Sequence, residues 1–151
     1  MLKPGDTAPD FTLPDELGRP TNLTAVLATG PVALVFYPRD FTPVCTREVC
    51  MVRDAHGDLA AAGINVLGIS ADSVESHERF RSQHRLTFPL LADVDKAVYR
   101  AYGALGLFGF GTRRVTYLIS RDGKILDAVN AALRVGVHGA LLQRALAAGP
   151  R

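Results

Sequence analysis

PVALVFYPRDFTPVCTREVC, residues 31 to 50, joins an apolar run to the only two cysteines of the chain. Residues 31 to 37 are almost continuously apolar and too few for a full helix, which predicts a strand buried on both faces. Thr42 and Pro43 then supply an N-cap and a first-turn proline, so a helix is expected from there to about Ala62, where Gly63 stops it. Cys45 falls in the first turn of that helix and Cys50 stands five positions further on. A helix N-terminus favours a thiolate, and a second thiol nearby can close a disulfide, so Cys45 reads as nucleophile and Cys50 as resolver.

Working outward, INVLGIS at 64 to 70 supplies a second strand and completes a β-α-β unit. Asp72 with Glu75 gives a capping-box-like start to a helix running through about Gln83. Upstream, Phe11 to Leu13 and Pro20 to Leu23 flank DELGR, whose Gly18 suits a hairpin turn. Downstream, residues 94 to 101 read as a short helix, and VTYLIS and KILDAV flank RDG at 121 to 123 as a second hairpin. Leu141, Leu142, Ala145 and Leu146 stripe a final helix that starts near Val137. The expected fold class is α/β: a mixed central sheet with helices on both faces, in the order of a thioredoxin-like fold.

The 151 residues, 48% of them hydrophobic and free of any Pro/Gly/Ser-rich linker, suit a single domain over 1–151. Lys and Arg total 17 against 15 acids, and a net charge of +2 argues against nucleic acid or an anionic membrane as partner. MLKPGDTAPDFTLPDELG has no apolar run after its Lys and no small-residue cleavage site, so a cytoplasmic address and no membrane span are expected. A reducing compartment disfavours a structural disulfide and shifts the cysteine pair towards redox or metal chemistry. Zinc needs more ligands than this pair, and no His or Cys lies at finger spacing from it, so no metal is expected.

Chemistry then constrains the neighbours. A helix terminus contributes about 0.3 to 2 kcal/mol to an anion, so a cation is needed as well. Full ionisation at neutral pH raises reactive thiolate only about thirtyfold, so the site must also stabilise charge on a displaced oxygen. Thr42, the first-turn amides and an arginine distant in sequence are the candidate donors. Glu48, one helical turn from Cys45, would repel a thiolate unless an arginine engages it. Arg114, opening VTYLIS, can hold a carboxylate with one arm of its fork and face the sulfur with the other. Adjacent Arg113 competes for that role. Strand alternation puts the two on opposite faces, one of them in solvent, and the residues alone leave the choice open.

Residues five apart in an ideal helix have Cα atoms about 8.6 Å apart. A disulfide tolerates at most about 7 Å, so closing one requires the helix to unwind. His56, about 16 Å along the axis from Cys45, is excluded as a base. His77 and His84 read as a solvated face, His138 as structural, and Arg39 and Arg53 as surface groups or supports behind the site. Pro38 ends the strand and can shield the thiolate from water. GALGLFGFG, residues 103 to 111, places Phe108 and Phe110 in a loop that is a pocket wall, an interface patch or a fold onto its own domain.

Pro38, Thr42 and Cys45 match the P-x-x-x-T/S-x-x-C signature of peroxiredoxins, and Arg114 fits that family's strand arginine. CTREVCMVRD resembles the bacterioferritin comigratory protein, or peroxiredoxin Q, branch, where a second cysteine sits five positions on in the same helix. The likeness extends through FTLPDELGRPTNL, GISADSVESHERF, FPLLAD and RRVTYLISRDGKIL. Val44 departs from the glycine usual before the nucleophile, and Met51-Val52 replaces a more aromatic pair.

The resemblance implies a thioredoxin fold and a thiol peroxidase for hydrogen peroxide and organic hydroperoxides, without metal, haem or other cofactor. It implies a catalytic set of Cys45, Cys50, Thr42, Arg114, Pro38 and Glu48. On this reading Cys45 becomes a sulfenic acid, Cys50 condenses with it as a disulfide, and thioredoxin or glutaredoxin restores the thiols. A monomer or weak homodimer is expected. Two alternatives stay open: a thiol-disulfide oxidoreductase, which normally uses Cys-x-x-Cys spacing, and a redox-sensing interaction protein.

Overall fold

The computed structural model describes residues 1–106, 112–130 and 135–148. Phe108 and Phe110 lie outside the described residues. A hairpin of β1 (Thr12–Pro14) and β2 (Pro20–Asn22) leads into a short α1 (Leu23–Leu27). Then come β3 (Val32–Phe36), α2 (Pro43–Ala61), β4 (Asn65–Ser70), α3 (Val74–Gln83) and β5 (Leu90–Ala92). The chain closes with α4 (Ala97–Ala101), β6 (Val115–Ile119), β7 (Ile125–Asn130) and α5 (Val135–Ala148).

β3 is the centre of a five-stranded sheet of order β5-β4-β3-β6-β7. On one side it runs parallel to β4, with Val32 opposite Asn65 and Phe36 opposite Ile69. On the other it runs antiparallel to β6, with Val32 opposite Ile119 and Phe36 opposite Val115. The sheet is therefore mixed, as expected. Side-chain alternation along β3 feeds two cores. Val32, Leu34 and Phe36 join Phe11, Leu23, Tyr99 and Tyr102 on the face covered by the hairpin, α1 and α4. Ala33, Val35 and Tyr37 join Val49, Val52 and Leu59 of α2, Phe80 of α3 and Leu141 and Leu142 of α5. Residues 32 to 37 all have 0% exposure, which is why the sequence is apolar without a period there. Each large side chain buried in this way contributes about 1.5 to 3 kcal/mol.

α2 stops where the glycine allows it. Gly63 adopts φ 80, its N–H donates to the Ala60 carbonyl at 3.0 Å, and the Ile64 N–H reaches the Leu59 carbonyl at 2.9 Å. This closure turns the chain into β4 within three residues of the last helical turn.

One local expectation is corrected, and two short elements are new. Ser73, not Asp72, caps α3, its Oγ accepting the Ser76 N–H at 3.2 Å. Asp72 turns away because better donors face it: the Ser70 hydroxyl at 2.6 Å and the Asp40 N–H at 2.7 Å, both to Oδ2. α1 and β5 have no counterpart in the sequence reading, since elements of five and three residues are too short to show a period.

Candidate active site

β3 delivers the chain through buried Tyr37 and half-buried Pro38 to a tight loop that ends at Thr42. Thr42 is the N-cap of α2 in extended conformation, φ −83 and ψ 148, but its side chain makes no cap bond. Its hydroxyl donates instead to the Arg39 carbonyl at 3.0 Å. The first N–H groups of a helix have no intrahelical acceptor, so the Val44 and Cys45 amides stay uncapped by Thr42 beside the thiol.

Cys45 is 2% exposed and its Sγ accepts from Arg114 Nη2 at 3.2 Å. Arg114 Nη1 donates to Glu48 Oε2, so one fork spans carboxylate and sulfur. Register explains the meeting of residues 69 positions apart. Phe36 lies opposite Val115, which brings the residue before β6 to the end of β3, where the cysteine loop starts. Arg114 is the buried arginine of the pair, whereas Arg113 is half-exposed and donates its N–H to the Ala104 carbonyl at 2.7 Å.

Glu48 has 0% exposure, and its Oε1 makes no hydrogen bond among the described residues. Burial pushes its carboxyl up to about 7 against the opposing pull of Arg114. Burial alone would drive Arg114 towards losing a proton, but the Glu48 carboxylate, with the sulfur behind it, outweighs that and keeps it cationic. Cys50 sits half-buried on the same helix, and both cysteines are free thiols.

The sequence reading missed a polar network behind the loop. His77, read as solvated, has 0% exposure. Its Nδ1 meets Asp40 Oδ2 at 2.8 Å and its Nε2 meets the Leu91 carbonyl at 3.0 Å. The face of α3 that carries it turns onto the sheet, and these two partners satisfy its ring. His84 packs half-buried against the Phe80 ring at 5.0 Å, and His138 is buried on Thr116 Oγ1 at 2.8 Å. Arg39 is exposed, and Arg53 donates to the His84 carbonyl at 2.8 Å. The signal for His77 was its place beside Phe80 on one helix face, but a polar ring at that position does not reveal its burial.

Asp40, Asp72 and His77 are the group among the described residues whose ligand atoms, all within 4.8 Å, have the spacing of a metal site. The Ser70, Ser76 and Tyr37 hydroxyls and the Asp40 N–H donate to these carboxylates, so the cluster reads as a closed hydrogen-bond network. A separate groove of about 640 Å³, lined by Asn22, Val26, His56, Ile64 and Asn65 among others, lies at the start of β4, at the opposite end of the sheet from Cys45. Among the described residues no helix is long and apolar enough to cross a membrane.

Residues 4–128 match the AhpC/TSA family. Peroxiredoxin Bcp of Escherichia coli (strain K12) is 42% identical over 130 residues, covering 82% of this chain and 83% of that protein. The crystal structure of peroxidoxin BcpB from Mycobacterium tuberculosis superposes with a TM-score of 0.91 at 36% identity over 98% of each chain. Bacterioferritin comigratory protein of Xanthomonas campestris, solved in trapped intermediate and ligand complexes, gives 0.83 at 32% identity over 91% of this chain and 90% of that one. With the thioredoxin-like fold and the Cys45 environment beside these likenesses, the chain belongs to the AhpC/TSA family, in the Bcp and peroxiredoxin Q branch of the peroxiredoxins.

Proposed function

We propose that this protein is a thiol peroxidase in which Cys45 reduces hydrogen peroxide and organic hydroperoxides and Cys50 resolves the product. The observation that carries the reading is the 3.2 Å contact from Arg114 Nη2 to Cys45 Sγ at an uncapped helix N-terminus. Alkyl peroxide reduction is the activity named for the Xanthomonas campestris relative, and it supports organic hydroperoxides as substrates.

The Cys45 thiolate attacks the terminal oxygen of ROOH: the S–O bond forms, the O–O bond breaks, and the RO⁻ fragment takes a proton and leaves as ROH. Charge grows on the departing oxygen, and the Arg114 guanidinium, the first-turn amides and the Thr42 hydroxyl, once it rotates away from the Arg39 carbonyl, stabilise it. Glu48 orients the guanidinium, and Pro38 shields the thiolate from water. Cys50 then attacks the sulfenic sulfur, forming S–S and releasing the hydroxyl as water. A dithiol partner, thioredoxin or glutaredoxin, reduces the disulfide by exchange. Function as a monomer or weak homodimer in the cytoplasm completes the reading.

Stopped-flow oxidation with mass analysis tests it. Wild type is expected to consume one peroxide per chain and gain an internal disulfide. Cys45→Ser should be inert, and Cys50→Ser should halt at sulfenic acid or overoxidise. Slow consumption by wild type with rapid reduction of protein disulfides would transfer the assignment to a thiol-disulfide oxidoreductase.

A further inference from the structure

The loop that carries Thr42 is held from behind by buried groups with no part in the reaction above, and we propose that Asp40 and His77 are positioning residues that hold this loop in its peroxide-binding conformation. The inference rests on the peroxidase reading for its kinetic consequence. Its structural half stands apart.

Hydrogen-bond accounting defines the clamp. The Leu91 carbonyl can only accept, so His77 Nε2 at 3.0 Å carries a hydrogen. Nδ1 faces Asp40 Oδ2 at 2.8 Å, and that contact is closed only by one proton lying between nitrogen and oxygen. The same Oδ2 accepts from the Ser76 hydroxyl at 2.8 Å, and Oδ1 accepts from the Tyr37 hydroxyl at 2.7 Å. The Asp40 N–H donates to Asp72 Oδ2 at 2.7 Å. Asp40 is 4% exposed, so solvent does not compete for these bonds. The end of β3, the β4–α3 turn, α3 and, through His77, β5 all grip this one residue.

What the clamp holds is strained. Phe41 follows at φ 65, in the left-handed region that costs a non-glycine residue about 1 to 2 kcal/mol, and Thr42 comes next in extended conformation. A backbone of this kind persists only where its surroundings over-determine it. Loss of the Asp40 grip lets Phe41 relax and shifts Thr42 and the first turn of α2, which carries Cys45, relative to Arg114. Misplacement of about 1 Å in such a site costs on the order of a hundredfold in rate.

A buried His–Asp pair can also serve as a plain staple between α3 and β5, and two substitutions separate the roles. Asn at 77 places its amide donor where Nδ1 sits and keeps the bond to Asp40. Gln at 77 reaches the Leu91 carbonyl and loses Asp40. The experiment measures, on reduced full-length protein, the second-order rate of peroxide oxidation and hydrogen exchange over residues 38 to 46. His77→Gln is expected to slow oxidation about tenfold or more and to speed exchange in that segment, whereas His77→Asn stays within about threefold of wild type. Tyr37→Phe, which deletes one donor to Asp40 and keeps the ring, should slow oxidation several-fold and serves if His77→Gln does not fold. Equal rates and equal exchange for His77→Gln and wild type, or an Asn variant as impaired as Gln, would overturn the proposal. If wild type itself consumes no peroxide, the peroxidase reading fails, and the exchange contrast still decides the clamp.

Discussion

Glu48 carries an electrostatic conflict within one side chain: Arg114 holds Oε2, Oε1 has no partner among the described residues, and no part of the residue meets solvent. An unfolded chain releases this proton near the ordinary value of 4.5, while the folded protein keeps it until about 7. Because the folded pKa is the higher one, the stabilisation from this group is complete below the unfolded value and is lost as pH rises through 7. The size of that loss is on the order of 3 kcal/mol. Urea unfolding at pH 5 and pH 8 should therefore show wild type losing about that much more than Glu48→Gln; parallel losses would refute the assignment. Glu48 was legible from the sequence because a carboxylate one turn from a reactive thiol demands a cation. His77 was not, since nothing in a helical His next to charged residues marks it as enclosed on all sides.

At the scale of the element, α2 has a firm end and a weak one. Val49, Val52 and Leu59 anchor its middle and C-terminal turns in the core, and the Gly63 closure fixes its last turn. Its first turn has no side-chain cap and starts from a strained loop. Cys45 and Cys50 both lie inside this continuous helix, too far apart for a disulfide at ideal geometry, so the resolution proposed above requires the weak end to open. Hydrogen exchange is expected to fall in protection over residues 43 to 50 on oxidation, with residues 54 to 61 unchanged. Identical protection in the two redox states would show that the helix does not open. The helix bounds were readable from Thr42, Pro43 and Gly63, whereas the cap of α3 was misread because Asp72 was drawn to donors brought by other parts of the chain.

For the whole molecule, β3 ties both cores together, with Leu34 at 0% exposure and parallel and antiparallel partners on its two sides. Leu34→Ala should cost about 2 to 5 kcal/mol in a urea titration followed by circular dichroism, the range for emptying a packed core site. A cost below about 1 kcal/mol would mean the face under α1 and α4 is loosely packed. The cysteine loop leaves the same strand, so a cavity there weakens the platform under the site as well as the core. From the sequence alone came every strand but β5, the stop of α2, the cysteine spacing and the need for an arginine, all consequences of short-range periodicity, backbone sterics and local charge. Arg114 was singled out over Arg113 by family resemblance and not by its residue pattern; only the tertiary structure buried it against Glu48 and Cys45 and enclosed His77 against Asp40. Those placements depend on strand register and on which helix face meets the sheet, and both are set by contacts between segments that are distant along the chain.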